Sequence, residues 1–167
     1  MAGLYAHIPF CHSKCAYCDF YSMPNAAKME QLTAALAKEW AMRRDEVDWS
    51  GTNTIYLGGG TPSIVPLQLL ERLISIFDIK DVAEFTIEAN PEDVTVEKAE
   101  AWRKMGINRI SMGVQSLNDE QLRLIGRRHT AAEAIEAVDA IKKAGFDNFS
   151  LDLIYGLPGQ TLESWRE

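Results

Sequence analysis

The chain has 167 residues, 47% of them hydrophobic, which is enough for one domain with a substantial core. Its net charge of −7 argues against a nucleic-acid partner, and no apolar run is long enough to span a membrane. No apolar signal segment opens the chain, so we expect a cytoplasmic protein whose three cysteines stay reduced.

Short apolar runs that indicate strands alternate with helical patterns along the chain. The predicted strands cover about residues 3–8, 53–57, 83–89, 107–114 and 147–155. Six helices are predicted. Two are indicated by apolar positions, from Met29 to Trp40 and from Leu70 to Phe77, and a third runs from about 95 to Gly106. The others begin near Asn118, at the capping box Thr130-x-x-Glu133 and near Leu162. This order predicts parallel strands with outer helices, in either an open sheet or a barrel.

The two faces of the predicted strands differ in polarity. Side chains two apart on a strand share a face, so Tyr5 lies with His7 on the first strand and Thr86 lies with Glu88 on the third. A parallel sheet covered by helices on both faces is apolar on both, whereas a polar face indicates a lumen. We therefore predict a TIM-like (β/α) barrel whose site lies at the carboxyl ends of the strands.

All three cysteines, Cys11, Cys15 and Cys18, lie within one short loop directly after the first predicted strand. Three such thiolates can hold three irons of a [4Fe–4S] cluster and leave the fourth iron open to a small molecule. The alternative is a structural zinc site with His7 or His12 as the fourth ligand.

The segment Gly58-Gly59-Gly60-Thr61-Pro62 follows the second predicted strand and lacks the glycine spacing of a dinucleotide-binding loop. Glycines at a strand end free backbone groups and allow a close approach to a ligand. The segment is therefore a candidate cradle for the ligand of the cluster, with an ordinary turn as the alternative.

Polar residues near the later strand ends are further candidates. Glu88 can accept hydrogen bonds from ribose hydroxyls or an ammonium group, or it can cap the following turn. Gln115 can donate and accept hydrogen bonds, and Arg127 can fork onto a carboxylate or lie solvated at the surface. Asp152 lies in mid-strand, where a buried carboxylate needs a partner or a ligand. Two histidines are expected to be caps or surface residues: His12 and His129.

Five motifs occur in a characteristic order: Leu-Tyr-Ala-His-Ile-Pro-Phe-Cys-His-Ser-Lys-Cys-Ala-Tyr-Cys-Asp-Phe, Gly-Gly-Gly-Thr-Pro-Ser, Glu-Ala-Asn-Pro, Gly-Val-Gln-Ser and Asp-Leu-Ile-Tyr-Gly-Leu-Pro-Gly-Gln-Thr. Together they resemble the radical S-adenosylmethionine (SAM) superfamily, and within it the oxygen-independent coproporphyrinogen III oxidase group. The resemblance covers essentially the whole chain. The oxidases carry a fourth cysteine where this chain has Phe20, and this departure resembles the HemW branch of haem chaperones.

The resemblance implies that Cys11, Cys15 and Cys18 hold a [4Fe–4S] cluster whose fourth iron is chelated by SAM. It also implies a SAM site made of Tyr5, Tyr17, Gly59, Gly60, Thr61 and Glu88. Further matched positions contact a second SAM in the oxidases: Gln115, Arg127 and Asp152. The family reaction is the one-electron reductive cleavage of SAM, whereas in a haem chaperone the cluster and SAM would regulate haem transfer.

The function implied by the resemblance is haem delivery by a protein that binds a cluster and SAM. The alternatives are coproporphyrinogen III oxidation and a non-catalytic haem carrier with a structural cluster. The expected partners are haem, a haem-acceptor protein and an electron donor such as a flavodoxin-type protein. Family members are roughly twice as long, so residues 1–167 are expected to form a partial barrel of about five strands that lacks the C-terminal part and can associate through its open edge.

Overall fold

The computed structural model describes residues 2–24 and 26–166, which contain one sheet of five parallel strands. Each strand pairs with the next one along the chain. The strands are β1 (Ala2–Ile8), β2 (Asn53–Gly59), β3 (Val82–Ala89), β4 (Arg109–Gln115) and β5 (Phe149–Leu153). The predicted architecture of parallel strands with outer helices is confirmed, and the predicted strand ends differ from these by no more than two residues.

Helices connect the strands on the apolar side of the sheet. They are α1 (Met29–Arg43), α2 (Leu67–Phe77), α3 (Val96–Lys104), α4 (Asp119–Leu124) and α5 (Ala131–Lys143), and a short helix α6 (Leu162–Arg166) follows β5. Short 3₁₀ turns cover Ala26–Lys28, Arg44–Glu46, Pro62–Ile64 and Pro91–Asp93. Among the helices that the structure describes, none combines the length and the apolar character needed to cross a bilayer.

The start of α5 shows how local sequence sets a helix boundary. The Thr130 hydroxyl accepts a hydrogen bond from the Glu133 N–H at 3.2 Å, and the Glu133 carboxylate accepts one from the Thr130 N–H at 2.7 Å. Both donors would otherwise lack a partner within the helix, so the predicted capping box is confirmed.

The core lies between the apolar face of the sheet and the helices. Leu57 of β2, Ile87 of β3 and Met112 of β4 are fully buried, in one cluster with Leu70 of α2 and Trp102 of α3. Burying a side chain of this size contributes about 1.5–3 kcal/mol, so this cluster favours the alignment of the strands. The polar face of the sheet is left to line a cleft.

The sheet ends at β1 and β5, which each have a single neighbouring strand within residues 2–24 and 26–166. On β5, the apolar side chains of Leu151 and Leu153 are 42% and 49% exposed, because no described helix covers them. The predicted partial barrel with an open edge therefore matches the described residues.

His129 is buried, with 2% exposure, so the expectation of a cap or surface residue is wrong. Its Nε2 lies 3.0 Å from the carbonyl oxygen of Val114, and its Nδ1 lies 3.4 Å from the Glu92 carboxylate. The residue is enclosed because α5 packs against the 3₁₀ turn Pro91–Asp93. His129 thus joins the segments that follow β3 and β4, which a local sequence pattern does not reveal.

The contact with His129 changes the acidity of Glu92. Burial raises the pKa of Glu92, but the polar contact with His129, a backbone hydrogen bond and the charge of Arg127 outweigh burial and lower it. A carboxyl group whose pKa is lowered by folding stabilises the native state above its unfolded pKa, and that stabilisation disappears as the pH falls through the folded pKa.

We therefore predict that Glu92→Gln lowers the free energy of unfolding near neutral pH and weakens its decrease below about pH 4.5, the ordinary value for glutamate. Urea denaturation at successive pH values measures both effects. Glu100→Gln, which removes an exposed carboxylate on α3, is the matched control. Parallel pH curves for wild type and Glu92→Gln would contradict the prediction.

Candidate functional site

The cysteine loop is closed at its base by backbone hydrogen bonds. The Cys11 N–H donates to the Met23 carbonyl at 3.1 Å, and the Met23 N–H donates to the Pro9 carbonyl at 2.6 Å. Phe10, which pairs with Met23 in an isolated β-bridge, is buried in the core. The loop therefore leaves β1 and returns beside it, which brings its three thiols to the carboxyl end of the sheet.

A second contact holds the middle of the cysteine loop. The Ala16 N–H donates to the Ile125 carbonyl at 3.1 Å, and the Cys15 thiol lies 3.8 Å from the Gly126 carbonyl. Gly126 directly precedes Arg127 in the segment between α4 and α5. The loop that carries the cysteines is thereby packed against the segment that carries the candidate arginine.

The glycine segment after β2 approaches β1 so closely that side chains are excluded. The Gly60 N–H donates to the Ile8 carbonyl at 2.8 Å, and the Thr61 N–H donates to the Phe10 carbonyl at 2.7 Å. A Cβ on Gly60 would lie 2.7 Å from the Phe10 oxygen, and one on Gly59, whose φ is +113°, would lie 2.5 Å from the His7 ring. These glycines are required by close approach as well as by the turn.

The three cysteines line a single cleft of about 220 Å³ at the carboxyl ends of the strands. Most of the other predicted site residues also line it: Tyr17, Gly59, Gly60, Thr61, Glu88, Gln115, Arg127 and Asp152. Tyr5 does not line this cleft. Its hydroxyl is hydrogen-bonded to His7 Nδ1 at 3.0 Å, and its ring lies beside Gly58 and near the Glu88 carboxyl group. The fold thus gathers eleven of the predicted site residues, contributed by all five strands or the segments after them, and Tyr5 lies on the same face of the sheet.

Glu88 is held in place by two donors. Its carboxylate accepts hydrogen bonds from the Tyr56 hydroxyl at 2.8 Å and from the Gly59 N–H at 3.0 Å. Burial, together with the hydrogen bond and the charge of Glu88, raises the pKa of Tyr56 to about 12. Tyr56 therefore stays protonated and donates to Glu88, so a half-buried carboxylate faces the cleft in a defined orientation.

Gln115 has a left-handed backbone, with φ at +70°, at a shift in register between β4 and β5. Its carbonyl accepts a hydrogen bond from the N–H of Ile154, the residue directly after β5, at 2.9 Å, and this contact supports the conformation. A Cβ on Gly113 would lie 2.7 Å from the side-chain nitrogen of Gln115, so the glycine leaves room for this side chain. Such bulges re-aim side chains near sites, and here the bulge turns Gln115 into the cleft.

Arg127 already has protein partners. Its Nη2 donates to Asn90 Oδ1 at 2.7 Å and also to the Gly113 carbonyl, and its Nη1 lies 3.8 Å from the Cys15 thiol. Its Nε is buried and has no hydrogen-bond partner among the described residues. The predicted solvated alternative is therefore wrong, since the guanidinium is inserted between the cysteine loop and the strand ends.

Asp152 lines the cleft but is exposed on β5, so the expectation of a buried carboxylate is wrong. The reason is its place on the last strand of the described sheet, where water reaches the side chain. Solvation removes the argument that this carboxylate needs a ligand, whereas its position in the cleft is as expected.

The donor set fits a cluster better than a single metal ion. No three histidine, cysteine or acidic side chains in the described residues converge closely enough to bind one ion. His7 contacts Tyr5 and Tyr21 through its two ring nitrogens, and His12 lies 3.5 Å from Asp93, so neither is placed as a fourth zinc ligand. Three free thiols that line one cleft suit a larger iron–sulfur core.

Two residues that sequence reasoning did not select belong to this site. Asn90 contacts both Arg127 and Thr61, and Tyr56 orients Glu88. Asn90 lies directly after β3 in the Glu-Ala-Asn-Pro motif, and its place in that motif could have indicated it as a site residue. Tyr56 pairs in register with Thr86, so its closeness to Glu88 depends on the pairing of β2 with β3.

Comparisons with known proteins show which family the chain belongs to. The profile of the radical SAM superfamily matches residues 5–167. The heme chaperone HemW of Lactococcus lactis is 42% identical over 164 residues, which are 95% of this chain and 42% of that protein. HemW of Haemophilus influenzae is 41% identical over 171 residues, which are 96% of this chain and 45% of that protein. The chain therefore spans less than half the length of these curated relatives.

A solved structure extends the likeness to three dimensions. The coproporphyrinogen III oxidase HemN of Escherichia coli, described as a radical SAM enzyme, superposes with a TM-score of 0.90 at 32% identity. The match covers 99% of this chain and 39% of HemN. The resemblance read from the five motifs is thus confirmed, and the chain belongs to the radical SAM superfamily.

Proposed function

We propose that this chain binds a [4Fe–4S] cluster through Cys11, Cys15 and Cys18, binds SAM beside it, and serves haem delivery. The observation that carries the proposal is the shared cleft, in which three free thiols lie with a carboxylate and a guanidinium at the carboxyl ends of parallel strands. When bound, the cluster supplies single electrons to SAM. The chain's own residues bind and orient these two groups.

The opposite charges in the cleft support SAM as the ligand. SAM has an ammonium, a sulfonium and a carboxylate, so its recognition needs both an anionic and a cationic group. Glu88, held by Tyr56 and Gly59, offers the anionic group, and the guanidinium of Arg127, which lines the same cleft, offers the cationic group. Gly59 and Gly60 leave room for a close backbone approach.

Haem delivery is favoured over coproporphyrinogen III oxidation by the position of Phe20. The oxidases resembled by the motifs have a cysteine there, whereas this side chain is an exposed phenyl ring with 69% exposure. The similarity to proteins named heme chaperones, at 42% and 41% identity, points in the same direction. The oxidase remains the second candidate because of the structural likeness to HemN.

The partners follow from this role. We propose that haem passes to an acceptor protein, and that an electron donor such as a flavodoxin-type protein reduces the cluster. The cysteine loop lies at the surface, since its cysteines are half-exposed and its Phe20 and Tyr21 are exposed. This exposure supports access by such a donor. Reduced thiolates require a reducing compartment, so we propose a cytoplasmic location. The open edges at β1 and β5 offer backbone groups for association.

Iron and sulfide analysis after anaerobic reconstitution tests the cluster. We expect about four irons per wild-type chain, as for a cuboidal cluster, and loss of the cluster in Cys18→Ala. Ser22→Ala, which changes another side chain lining the cleft, is the matched control and should keep its iron. Stoichiometric zinc without sulfide in the wild type would refute the proposal.

The role of Glu88 is tested by SAM binding to the reconstituted protein. We expect Glu88→Gln to weaken SAM binding at least about tenfold, because a hydrogen bond to a charged group contributes about 1.5–3 kcal/mol. The measurement is the change in the cluster EPR spectrum as SAM is added. Glu84→Gln is the control, since Glu84 lies on the same face of β3 at the opposite end. An EPR spectrum of the wild type that does not respond to SAM would count against the proposed function itself.

Haem binding and product analysis distinguish haem delivery from the two alternative functions, the oxidase and the non-catalytic haem carrier. We expect the reconstituted protein to bind haem and to leave coproporphyrinogen III unchanged. Decarboxylation of that substrate would favour the oxidase reading, and haem binding that does not depend on SAM would favour a carrier with a structural cluster.

A further inference from the structure

Asn90 joins two side chains that contact the thiols of Cys11 and Cys15, those of Thr61 and Arg127. It is the first residue after β3, and its side-chain amide lies between the glycine segment and the segment that carries Arg127. Its Oδ1 accepts a hydrogen bond from Arg127 Nη2 at 2.7 Å, and its Nδ2 donates to Thr61 Oγ1 at 3.3 Å. One amide therefore links the side chains of Thr61 and Arg127.

The direction of these hydrogen bonds is determined by chemistry. A guanidinium only donates, so the amide oxygen of Asn90 must face Arg127 and the amide NH₂ must face Thr61. The Thr61 hydroxyl consequently accepts from Asn90, and its one proton is directed to the Cys11 thiol at 3.4 Å. Arg127 Nη1 lies 3.8 Å from the Cys15 thiol. Thr61 and Arg127 therefore both direct a donor to a cysteine sulfur.

The backbone around this network is held firmly. The Asn90 N–H donates to Ser63 Oγ at 3.2 Å, and the Ser63 hydroxyl donates to the Asp93 carboxylate at 2.8 Å. Thr61 is 5% exposed, and its N–H is bonded to the Phe10 carbonyl. Water therefore competes weakly for the Thr61 hydroxyl, and the amide has one low-energy orientation.

We propose that Asn90 is a positioning residue that directs the Thr61 hydroxyl to Cys11, supports Arg127 at Cys15, and thereby raises the reduction potential of the cluster. The inference rests on the proposed function, because it requires these cysteines to be cluster ligands. Hydrogen bonds and positive charge near cluster sulfurs stabilise the more electron-rich reduced state, so they shift the potential to more positive values.

The Asn90→Asp variant separates this role from simple attachment of the two loops. An aspartate keeps the size of the side chain and still accepts from Arg127. Both of its oxygens only accept, however, so the Thr61 proton turns toward the aspartate and Cys11 loses its donor. If Asn90 merely attached the loops, Asn90→Asp would change the potential only through its added charge.

The test is a set of redox titrations, followed by EPR, on the reconstituted full chain without SAM. We expect a more negative midpoint potential for Thr61→Val, which removes the hydroxyl at nearly constant volume, and a potential near the wild-type value for Thr61→Ser. We expect Asn90→Asp to shift the potential in the same negative direction. In the Thr61→Val background its shift should be smaller, because only the charge effect is left.

The outcomes distinguish this inference from the proposed function. A wild-type chain without iron and sulfide refutes both. Wild type and Thr61→Val with equal iron content and equal potentials refute the inference alone, as does an Asn90→Asp shift of the same size in both backgrounds. If Thr61→Val prevents assembly of the cluster, Thr61→Ala, which also removes the hydroxyl, takes its place as the background for Asn90→Asp. Iron content and circular dichroism of every variant control for folding.

Discussion

The site depends on the backbone contact between the segments that follow β1 and β2. Parallel pairing places Gly59 opposite Ile8, so the two chains leave the sheet side by side. Two backbone hydrogen bonds then connect Gly60 and Thr61 to Ile8 and Phe10. Since a side chain at Gly60 would collide with main-chain atoms, the contact forms only with glycine there. It places the Thr61 hydroxyl at the Cys11 thiol, which joins the fold directly to the proposed cluster.

The cleft contains a positive charge although the chain as a whole is negatively charged. The protein has a net charge of −7, yet the guanidinium of Arg127 lies next to the Cys15 thiol. Bound thiolates and an iron–sulfur core carry negative charge, which a nearby cation stabilises. Glu88 provides the opposite charge in the same cleft, held by Tyr56 and Gly59. The cleft therefore suits a cluster together with a ligand that has both an ammonium and a carboxylate.

Much of the fold was predictable because its signals are local. The apolar runs, the capping box at Thr130 and the polarity of the strand faces each depend on residues close in sequence. The wrong expectations concern burial. His129 is enclosed by the 3₁₀ turn after β3, and Asp152 is exposed because it lies on the last described strand. The first depends on a segment distant along the chain and the second on which strands have neighbours, so no short pattern indicates them.

By itself, the sequence determined the order of strands and helices, the polar face of the sheet and the spacing of the three cysteines, because periodicity and spacing are properties of neighbouring residues. Only the tertiary structure decided that Asn90 connects Thr61 with Arg127, that Tyr56 orients Glu88, and that Gln115 turns into the cleft at a bulge. The physical reason is that hydrogen-bond direction depends on which donors and acceptors the strand registers bring together. Those registers follow from the packing of the whole core.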